Sequence, residues 1–215
     1  MWKTMHLMEG ENSMLKYQIT VLLIMAFFYA VYLGKMIAQK RQGVVTNQIG
    51  KDQSDKKRLQ VERLMKIATY GIILVELISI VWGYSVLEYT GKNIGIVFGV
   101  LGDVIFLMAV LTMGSSWRAG VAAEDHRKFV SNGIFKISRN PAFLGFDLVY
   151  VSILLMFFNW LLFAWTLFAI IMLHLQILQE EKYLSGEFGE TYTAYKKHVY
   201  RYIGRKSSVF LKVER

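Results

Sequence analysis

Long apolar segments separated by basic polar segments organise this chain. Predominantly apolar runs cover residues 19–36, 67–87 and 94–113, and a fourth run of 36 residues covers 143–178. A bilayer core about 30 Å thick requires roughly 20 apolar residues in a helix, because each residue adds ~1.5 Å. The first three runs therefore predict one transmembrane helix each.

The fourth apolar run is too long for a single span. As one helix, residues 143–178 would extend roughly 54 Å, well beyond the bilayer core. The triplet Phe158-Asn159-Trp160 lies inside this run. Asn favours a turn and Trp favours the membrane interface, so the triplet predicts a break. We therefore expect two antiparallel helices in a tight hairpin, which brings the number of spans to five.

The distribution of basic residues predicts the topology. Lys and Arg number eight between residues 35 and 64, five between 114 and 142, and eight after residue 181. The N-terminal segment has two and the link at 88–93 has one. Since cytoplasmic loops carry an excess of Lys and Arg, five spans place every basic segment on one face. We predict an all-α polytopic membrane protein with its N-terminus outside and its C-terminus in the cytoplasm.

The composition agrees with a membrane protein and excludes several kinds of site. Hydrophobic residues make up 54% of the 215, and the net charge is +9. We attribute that charge to cytoplasmic loops near anionic headgroups, and we expect no nucleic-acid partner. With no cysteine and four widely separated His residues, the sequence predicts no metal centre. It indicates nothing about the oligomeric state.

The segments around the spans complete the domain organisation. We treat 1–215 as one integral membrane domain, with three spans in 1–113 and the rest of the fold in 114–215. No small-residue cleavage site follows the first apolar run, so a first anchor is expected there rather than a removed signal peptide. The basic loop at 37–63 is expected to become helical from Ser54, and residues 67–87 and 94–113 to form a hairpin. Aromatic residues in the tail recur at helical spacing, which predicts a C-terminal helix along the headgroup layer.

A polar stretch, Ser138 to Gly145, precedes the last apolar run and contains the only proline. Asn is a favoured N-cap and Pro a favoured first helical residue, so Asn140 and Pro141 predict a helix start. Helix N-termini attract anions, and Arg139 adds a bidentate donor, which suits a carboxylate or phosphate at a membrane surface. The alternative is an ordinary capped membrane helix with an arginine that reaches the headgroups.

Acidic residues supply the other half of a candidate site. The hairpin would place Glu180 and Glu181, at the end of the fifth span, beside Arg139 at the start of the fourth. A plain surface salt bridge is the alternative interpretation. Glu76 and Asp103 lie within predicted spans, where carboxylates are costly, so each is either a ligand-binding candidate or a protonated or paired structural group.

Residues 117–202 resemble the isoprenylcysteine carboxyl methyltransferase family and its phospholipid methyltransferase relatives. The family pattern has a turn, an Arg-His-Pro-x-Tyr-x-Gly motif, a membrane hairpin, and then a Glu-Glu motif followed by Leu, Phe-Gly and two Tyr. The matching residues here are Gly133-Ile134-Phe135, Arg139-Asn140-Pro141-Ala142-Phe143-Leu144-Gly145, Glu180-Glu181, Leu184, Phe188-Gly189, Tyr192 and Tyr195. Two motifs in this order, separated by a hairpin of suitable length, are more specific than either alone.

The resemblance implies an integral membrane enzyme whose active site faces the cytoplasm. S-adenosylmethionine would enter from the cytosol, and a lipophilic or prenylated acceptor would enter from the bilayer and its lipids. By similarity, the catalytic residues are Arg139 and Glu181. The implied cofactor-binding residues are Arg139, Asn140, Phe143, Glu180, Glu181, Leu184 and Tyr192.

Departures from the family pattern bear on the substrate. Asn140 replaces the family His, Phe143 replaces Tyr, and Gly204 stands where a proline is usual. Because Asn cannot titrate, a mechanism with a base at that position is closed. A carboxylate acceptor needs alignment but no deprotonation, so carboxyl O-methylation is preferred. The alternatives are N-methylation of a phospholipid amine and a non-catalytic membrane protein that retains the fold.

Overall fold

The structure is a computed structural model that describes residues 2–43, 56–117 and 129–206, and it describes no side chains in 2–12 or 56–58. These ranges contain α-helices, two short 3₁₀ turns and no β-strand beyond one isolated bridge, which confirms the all-α prediction. The helices are α1 (Trp2–Arg41), α2 (Lys56–Trp82), α3 (Tyr89–Met113), α4 (Pro141–Met156) and α5 (Trp160–His198), and the 3₁₀ turns are Gly114–Ser116 and Gly133–Lys136.

Four of the described helices are long and apolar enough to cross a membrane. The candidate spans are Ser13–Arg41, Leu59–Trp82, Tyr89–Ser116 and Trp160–His198. Helix α4 is also apolar but has only 16 residues, which corresponds to roughly 24 Å. The described chain thus contains four candidate spans and one shorter apolar helix.

Several helix boundaries differ from the apolar boundaries seen in the sequence. Helix α1 continues through the polar residues 2–18, and α2 is already helical at Lys56, while Ser54 lies outside the described residues. The link between α2 and α3 is 83–88, not 88–93, because α2 ends at Trp82, where Gly83 adopts φ 65°, and α3 begins at Tyr89. Hydropathy marks where lipid begins, whereas a helix can extend beyond it into the headgroup layer.

The expected hairpin of α2 and α3 is wrong, because these helices pack on other partners. Helix α3 packs mainly on α4, and α2 packs mainly on α5. Three glycines on α3 explain the first pair. A Cβ at Gly95 would lie 2.8 Å from the Ser152 carbonyl oxygen, and one at Gly102 would lie 2.9 Å from the Gly145 carbonyl oxygen. A Cβ at the third glycine, Gly99, would lie 2.6 Å from Ser152 Oγ on α4 and 2.8 Å from Ile24 Cδ1 on α1. The backbones of α3 and α4 therefore approach at a distance that larger residues would prevent.

The predicted break at 158–160 is confirmed. Helix α4 ends at Met156, α5 begins at Trp160, and Asn159 Oδ1 accepts a hydrogen bond from the Leu162 N–H at 2.9 Å. The same side chain donates through Nδ2 to Ser79 Oγ at 2.9 Å, which attaches this turn to α2. Asn159 therefore caps α5 and fixes its position.

The two ends of the helix bundle can be distinguished by their contacts. At the turn end, which comprises 14–18, 79–93 and 157–160, the Tyr17 hydroxyl donates to Asn93 Oδ1 at 3.1 Å. The opposite end, named the site end, comprises the end of α1, Trp117, the loop before α4 and the tail after α5. There, Gln39 Nε2 donates to the Trp117 carbonyl oxygen at 3.0 Å.

The predicted C-terminal helix follows the fifth span across a kink, at which two helical segments within Trp160–His198 meet. Helix α5 runs for 39 residues, and its only non-helical backbone is at Gly189, with φ 49° and ψ −121°. This conformation is open essentially to glycine alone. After His198 the chain turns back, and Val199 and Arg205 form an antiparallel bridge.

Candidate active site

The tail holds the loop before α4 in place by hydrogen bonds to its backbone. The Tyr195 hydroxyl donates to the carbonyl oxygens of Phe135 at 2.6 Å and Ser138 at 3.3 Å. The Gly204 N–H donates to the Ile137 carbonyl oxygen at 2.7 Å. Since these bonds involve main-chain groups, they position whatever side chains the loop carries.

Residues 138–141 begin α4 as predicted, but not through the predicted cap. Asn140 occupies the N-cap position and Pro141 the first helical position. The Asn140 side chain, however, makes no capping hydrogen bond. Its Nδ2 donates instead to Glu181 Oε1 at 3.0 Å and to the Arg201 carbonyl oxygen at 3.2 Å. Both Nδ2 hydrogens are thereby used, which leaves Oδ1 as the atom available to a ligand.

Glu181 is the centre of an ion cluster that comprises Arg139, Asn140, Glu181 and Arg201. Arg139 Nη2 lies 3.0 Å from Glu181 Oε1 and 3.2 Å from Oε2. Arg201 donates to Oε2 from Nη2 at 3.0 Å and from Nε at 3.2 Å. The Arg139 and Glu181 side chains are 10% and 8% exposed, so this is not a surface salt bridge. The predicted meeting of Arg139 with an acidic residue of α5 is confirmed as geometry.

Two features of the cluster bear on ligand binding. The hydrogen bond to Glu181 raises the pKa of Arg201 and outweighs the opposing effect of burial, so this guanidinium stays charged. Arg139 Nε is buried and has no acceptor among the residues that the structure describes. A buried donor without an acceptor is costly, so an acceptor placed beside Arg139 would be stabilised.

A cavity of about 360 Å³ is lined by Ala142, Phe143 and Glu180, which are close in sequence to Asn140 and Glu181, whereas none of the four cluster residues lines it. Of the predicted cofactor-binding residues, Phe143 from α4 and Glu180 from α5 line it. The rest of its wall is largely aromatic and aliphatic and comes from α1, α2 and α3 as well. Those residues are Tyr29, Tyr32, Leu33, Met36, Met65, Lys66, Thr69, Tyr70, Ile73, Phe106, Trp117, Ala142, Phe146, Tyr150, Leu173 and Gln176.

Two other predicted residues lie outside both the ion cluster and the cavity wall. Tyr192 is buried in an aromatic group, with its ring 5.8 Å from that of Phe129 and 6.0 Å from that of Tyr195. Leu184 is half-buried on α5, one turn after Glu180. Tyr192 thus packs the tail against the loop before α4.

The intramembrane carboxyl groups do not line the cavity. Glu76 is fully buried, and neither of its carboxyl oxygens has a hydrogen-bond partner within the described ranges. Asp103 is 7% exposed, and its Oδ1 has no partner there either. Their assignment as ligand-binding residues stays a prediction.

Arg201 belongs to the ion cluster, although the sequence does not predict it. It lies 20 positions after Glu181, in a turn that no hydrophobic period predicts. The wall residues from α1 and α2 were missed as well, because nothing in a single sequence indicates which faces of separate apolar helices enclose a cavity. A charged side chain closely following the aromatic tail was the one available signal for Arg201.

Comparisons with known proteins agree with the sequence motifs. The model of the isoprenylcysteine carboxyl methyltransferase family matches residues 95–186, from α3 through the ion cluster residue Glu181. Protein-S-isoprenylcysteine O-methyltransferase B of Arabidopsis thaliana is 27% identical over 168 residues, which cover 64% of this chain and 83% of that protein.

Other relatives match a smaller share of their own length. A probable protein-S-isoprenylcysteine O-methyltransferase of Oryza sativa subsp. indica is 31% identical over 110 residues, covering 50% of this chain and 58% of that protein. The protein-S-isoprenylcysteine O-methyltransferase of Dictyostelium discoideum is 31% identical over 117 residues, which cover 50% of this chain and 46% of that protein. Over residues 95–186, which are less than half of its length, the chain therefore resembles the isoprenylcysteine carboxyl methyltransferase family, a family of S-adenosylmethionine-dependent methyltransferases.

Proposed function

We propose that this protein transfers a methyl group from S-adenosylmethionine to the carboxylate of a prenylated cysteine or a similar lipophilic acid. The observation that carries the proposal is the buried ion cluster of Arg139, Asn140, Glu181 and Arg201 together with the apolar cavity. The ion cluster offers charged and polar contacts to a ligand, and the cavity offers space for a lipid chain. The names of the relatives support this choice of acceptor.

The residues present fit the cofactor. S-adenosylmethionine carries a carboxylate, and the buried Arg139 Nε lacks an acceptor within the described part of the chain. It also carries an ammonium group and a ribose diol, both of which are donors, and Glu180 is an acceptor on the cavity wall. When bound, the cofactor supplies an activated methyl group on a positively charged sulfur.

The contacts suggest different roles for the two glutamates. Glu181 already accepts hydrogen bonds from two guanidinium groups and from the Asn140 amide. We assign it the role of a positioning residue, which holds Arg139 and Asn140 in the orientation that a ligand needs. Glu180, the neighbouring residue, lines the cavity, and we assign it the contact with the cofactor.

The cavity suits the lipid part of the acceptor. Its volume of about 360 Å³ lies in the usual range for small-ligand pockets, and most of its wall is aromatic or aliphatic. A carboxylate oxygen is already a nucleophile at neutral pH, so the chain need only align it with the methyl carbon. Methyl transfer from a bound sulfonium to this carboxylate would remove both charges, so a site that excludes water would favour it.

The arrangement of the helices supports five spans with the site on the cytoplasmic face. Helix α4 begins at the site end, with Asn140, and the turn after it contacts Ser79 at the turn end. It therefore crosses the bundle despite its 16 residues. Among the described basic residues, Lys40 and Arg41 at the end of α1 and Arg139 and Arg201 in the ion cluster belong to the site end, and the positive-inside rule places such a face in the cytoplasm.

The test of the cofactor site is a calorimetric binding measurement in detergent with S-adenosylhomocysteine, the demethylated product. We expect wild-type protein to bind it, and Arg139→Ala and Glu180→Ala to weaken binding at least tenfold, since each removes a charge-assisted contact. Lys182→Ala, an exposed neighbour on α5, is the matched control and should bind as wild type does. Binding unchanged in both site variants would contradict the site assignment.

The class of acceptor is tested with a methyl-tritiated cofactor and membranes that contain the protein. A carboxyl methyl ester releases volatile labelled methanol in alkali, whereas an N-methyl group survives this treatment. We expect alkali-labile label on prenylated material. Alkali-stable label in phospholipid would favour the amine methyltransferase alternative, and no incorporation together with no cofactor binding would favour a non-catalytic protein.

A further inference from the structure

We propose that Gln176 is a specificity-determining residue that accepts a hydrogen bond from the amide N–H of the acceptor. The inference rests on the proposed function and adds a chemical requirement to it. The preferred acceptor would carry an acylated amino group on the carbon that bears the carboxylate, as a prenylated cysteine at the end of a peptide does.

A contact with Glu180 indicates the orientation of the Gln176 amide. Gln176 is on α5, is 1% exposed and lines the cavity. Its Nε2 donates to Glu180 Oε1 at 3.4 Å. An ionised carboxylate only accepts hydrogen bonds, so the nitrogen of the amide must face Glu180 and the oxygen must face away from it.

The oxygen that results from this orientation lacks a partner. Gln176 Oε1 is buried, and none of the residues in the described ranges donates to it. A buried amide oxygen without a donor is costly, and this one belongs to a wall residue of a cavity large enough for a ligand. A ligand that brings a donor to this position would remove that cost.

One polar group of the proposed acceptor can donate a hydrogen bond to Gln176 Oε1. The carboxylate and the thioether sulfur of an S-prenylcysteine accept hydrogen bonds, whereas the acylated amino group is a donor. Gln176 is also one turn from Glu180, which we assign to the cofactor. An amide N–H held at Gln176 would therefore keep the adjacent carboxylate near the methyl donor.

The experiment compares two acceptors that differ only in this donor. One is an N-acetyl S-prenylcysteine, and the other is the S-prenyl 3-mercaptopropionate with the same chain, which has the carboxylate and thioether but no amide. Steady-state kinetics and calorimetric binding in detergent are measured for wild type, Gln176→Leu and Gln179→Leu. Gln179 is on the same helix, does not line the cavity, and provides a matched loss of a glutamine amide.

The expected result is a dependence on both the side chain and the acceptor. Wild type should bind the amide-bearing acceptor about tenfold more tightly than the other, with most of the difference in KM, and Gln176→Leu should remove that difference. Gln179→Leu should retain it. Equal effects of Gln176→Leu on both acceptors would indicate a structural role and overturn the inference, as would no effect on either.

Binding separates this inference from the proposed function. If wild type methylates neither acceptor but binds the amide-bearing one with the Gln176 dependence, the function falls and the inference stands. If methylation proceeds without that dependence, the function stands and the inference falls. Absence of both binding and methylation would overturn both.

Discussion

At the scale of single residues, Glu181 is the group on which the candidate site depends. Two arginines and one amide meet its carboxylate in a setting where Glu181 is only 8% exposed. A buried pair of charges contributes little net stability compared with an apolar pair. Removing one partner is nevertheless costly, because the remaining charge stays buried without compensation.

We expect Glu181→Gln to destabilise the protein by about 3 kcal/mol, since it leaves the Arg139 guanidinium buried without a carboxylate. Denaturation in mixed detergent micelles, followed by circular dichroism, measures the loss. Glu187→Gln removes an exposed carboxylate from the same helix and should change the unfolding free energy by less than about 0.5 kcal/mol. Similar values for the two variants would show that the cluster does not stabilise the fold.

At the scale of residues, some contacts of the site could be predicted from the sequence and others could not. The contact of Arg139 with Glu181 could be predicted, because a hairpin with a recognisable break places these positions together. Arg201 could not, since its position depends on main-chain bonds between Ile137 and Gly204 and between Arg139 and Tyr200. Side-chain patterns carry little information about bonds of that kind. The different surroundings of Glu180 and Glu181 were likewise visible only in three dimensions.

At the scale of helices, the closest packing in the bundle is between α3 and α4, where glycines replace side chains. A Cβ added to Gly145 would lie 2.8 Å from Phe106 Cβ and 3.0 Å from the Gly102 carbonyl oxygen. Gly145 is also the last residue of the Arg-x-Pro motif, so one motif residue contributes packing and another contributes charge. Arg139 and Asn140 directly precede α4, and this packing determines where they lie.

We predict that Gly145→Ala destabilises the protein by about 1–3 kcal/mol, because the helices must separate to admit the methyl group. It should also weaken cofactor binding through displacement of the start of α4. Gly34→Ala is the matched control, since Gly34 is in α1 and has no atom within 4 Å of the added Cβ. Thermal unfolding of both variants measures the difference, and an unchanged Gly145→Ala would indicate that α3 and α4 are less closely packed.

The existence of the helices followed from hydropathy, but their pairing did not. Helices α2 and α3 are neighbours in the sequence, yet each packs mainly on a later helix. Small residues at Gly95, Gly99 and Gly102 are the signal that indicates a close helix contact, though they do not identify the partner. Helix ends were also displaced from the apolar boundaries, since a helix in water beyond the bilayer keeps its hydrogen bonds.

At the scale of the whole molecule, contacts separate the bundle into two ends that match the charge distribution. The turn end includes the contacts of Tyr17 with Asn93 and of Asn159 with Ser79. The site end includes the ion cluster and the basic tail. An alternation of helix direction through all five helices explains this separation.

We predict that the turn end faces outside and the site end faces the cytoplasm. The sequence has no cysteine, so single cysteines can be introduced without a background. In intact cells, a membrane-impermeant maleimide should label Tyr84→Cys, whose native side chain is 62% exposed in the link after α2. It should label Lys197→Cys only after permeabilisation. Labelling of both positions from the same side would contradict five spans.

The cavity wall is built from residues inside and residues outside the match to the family model. Phe143, Gln176 and Glu180 fall within the family match at 95–186, whereas Tyr29, Tyr32, Met65 and Tyr70 precede it. Under the proposed function, exchanging α1 and α2 between this chain and its relatives would therefore alter which lipid chain the cavity admits while Phe143, Gln176 and Glu180 stay the same. With this division of the wall, the acceptor preference can change while the residues proposed for methyl transfer are kept.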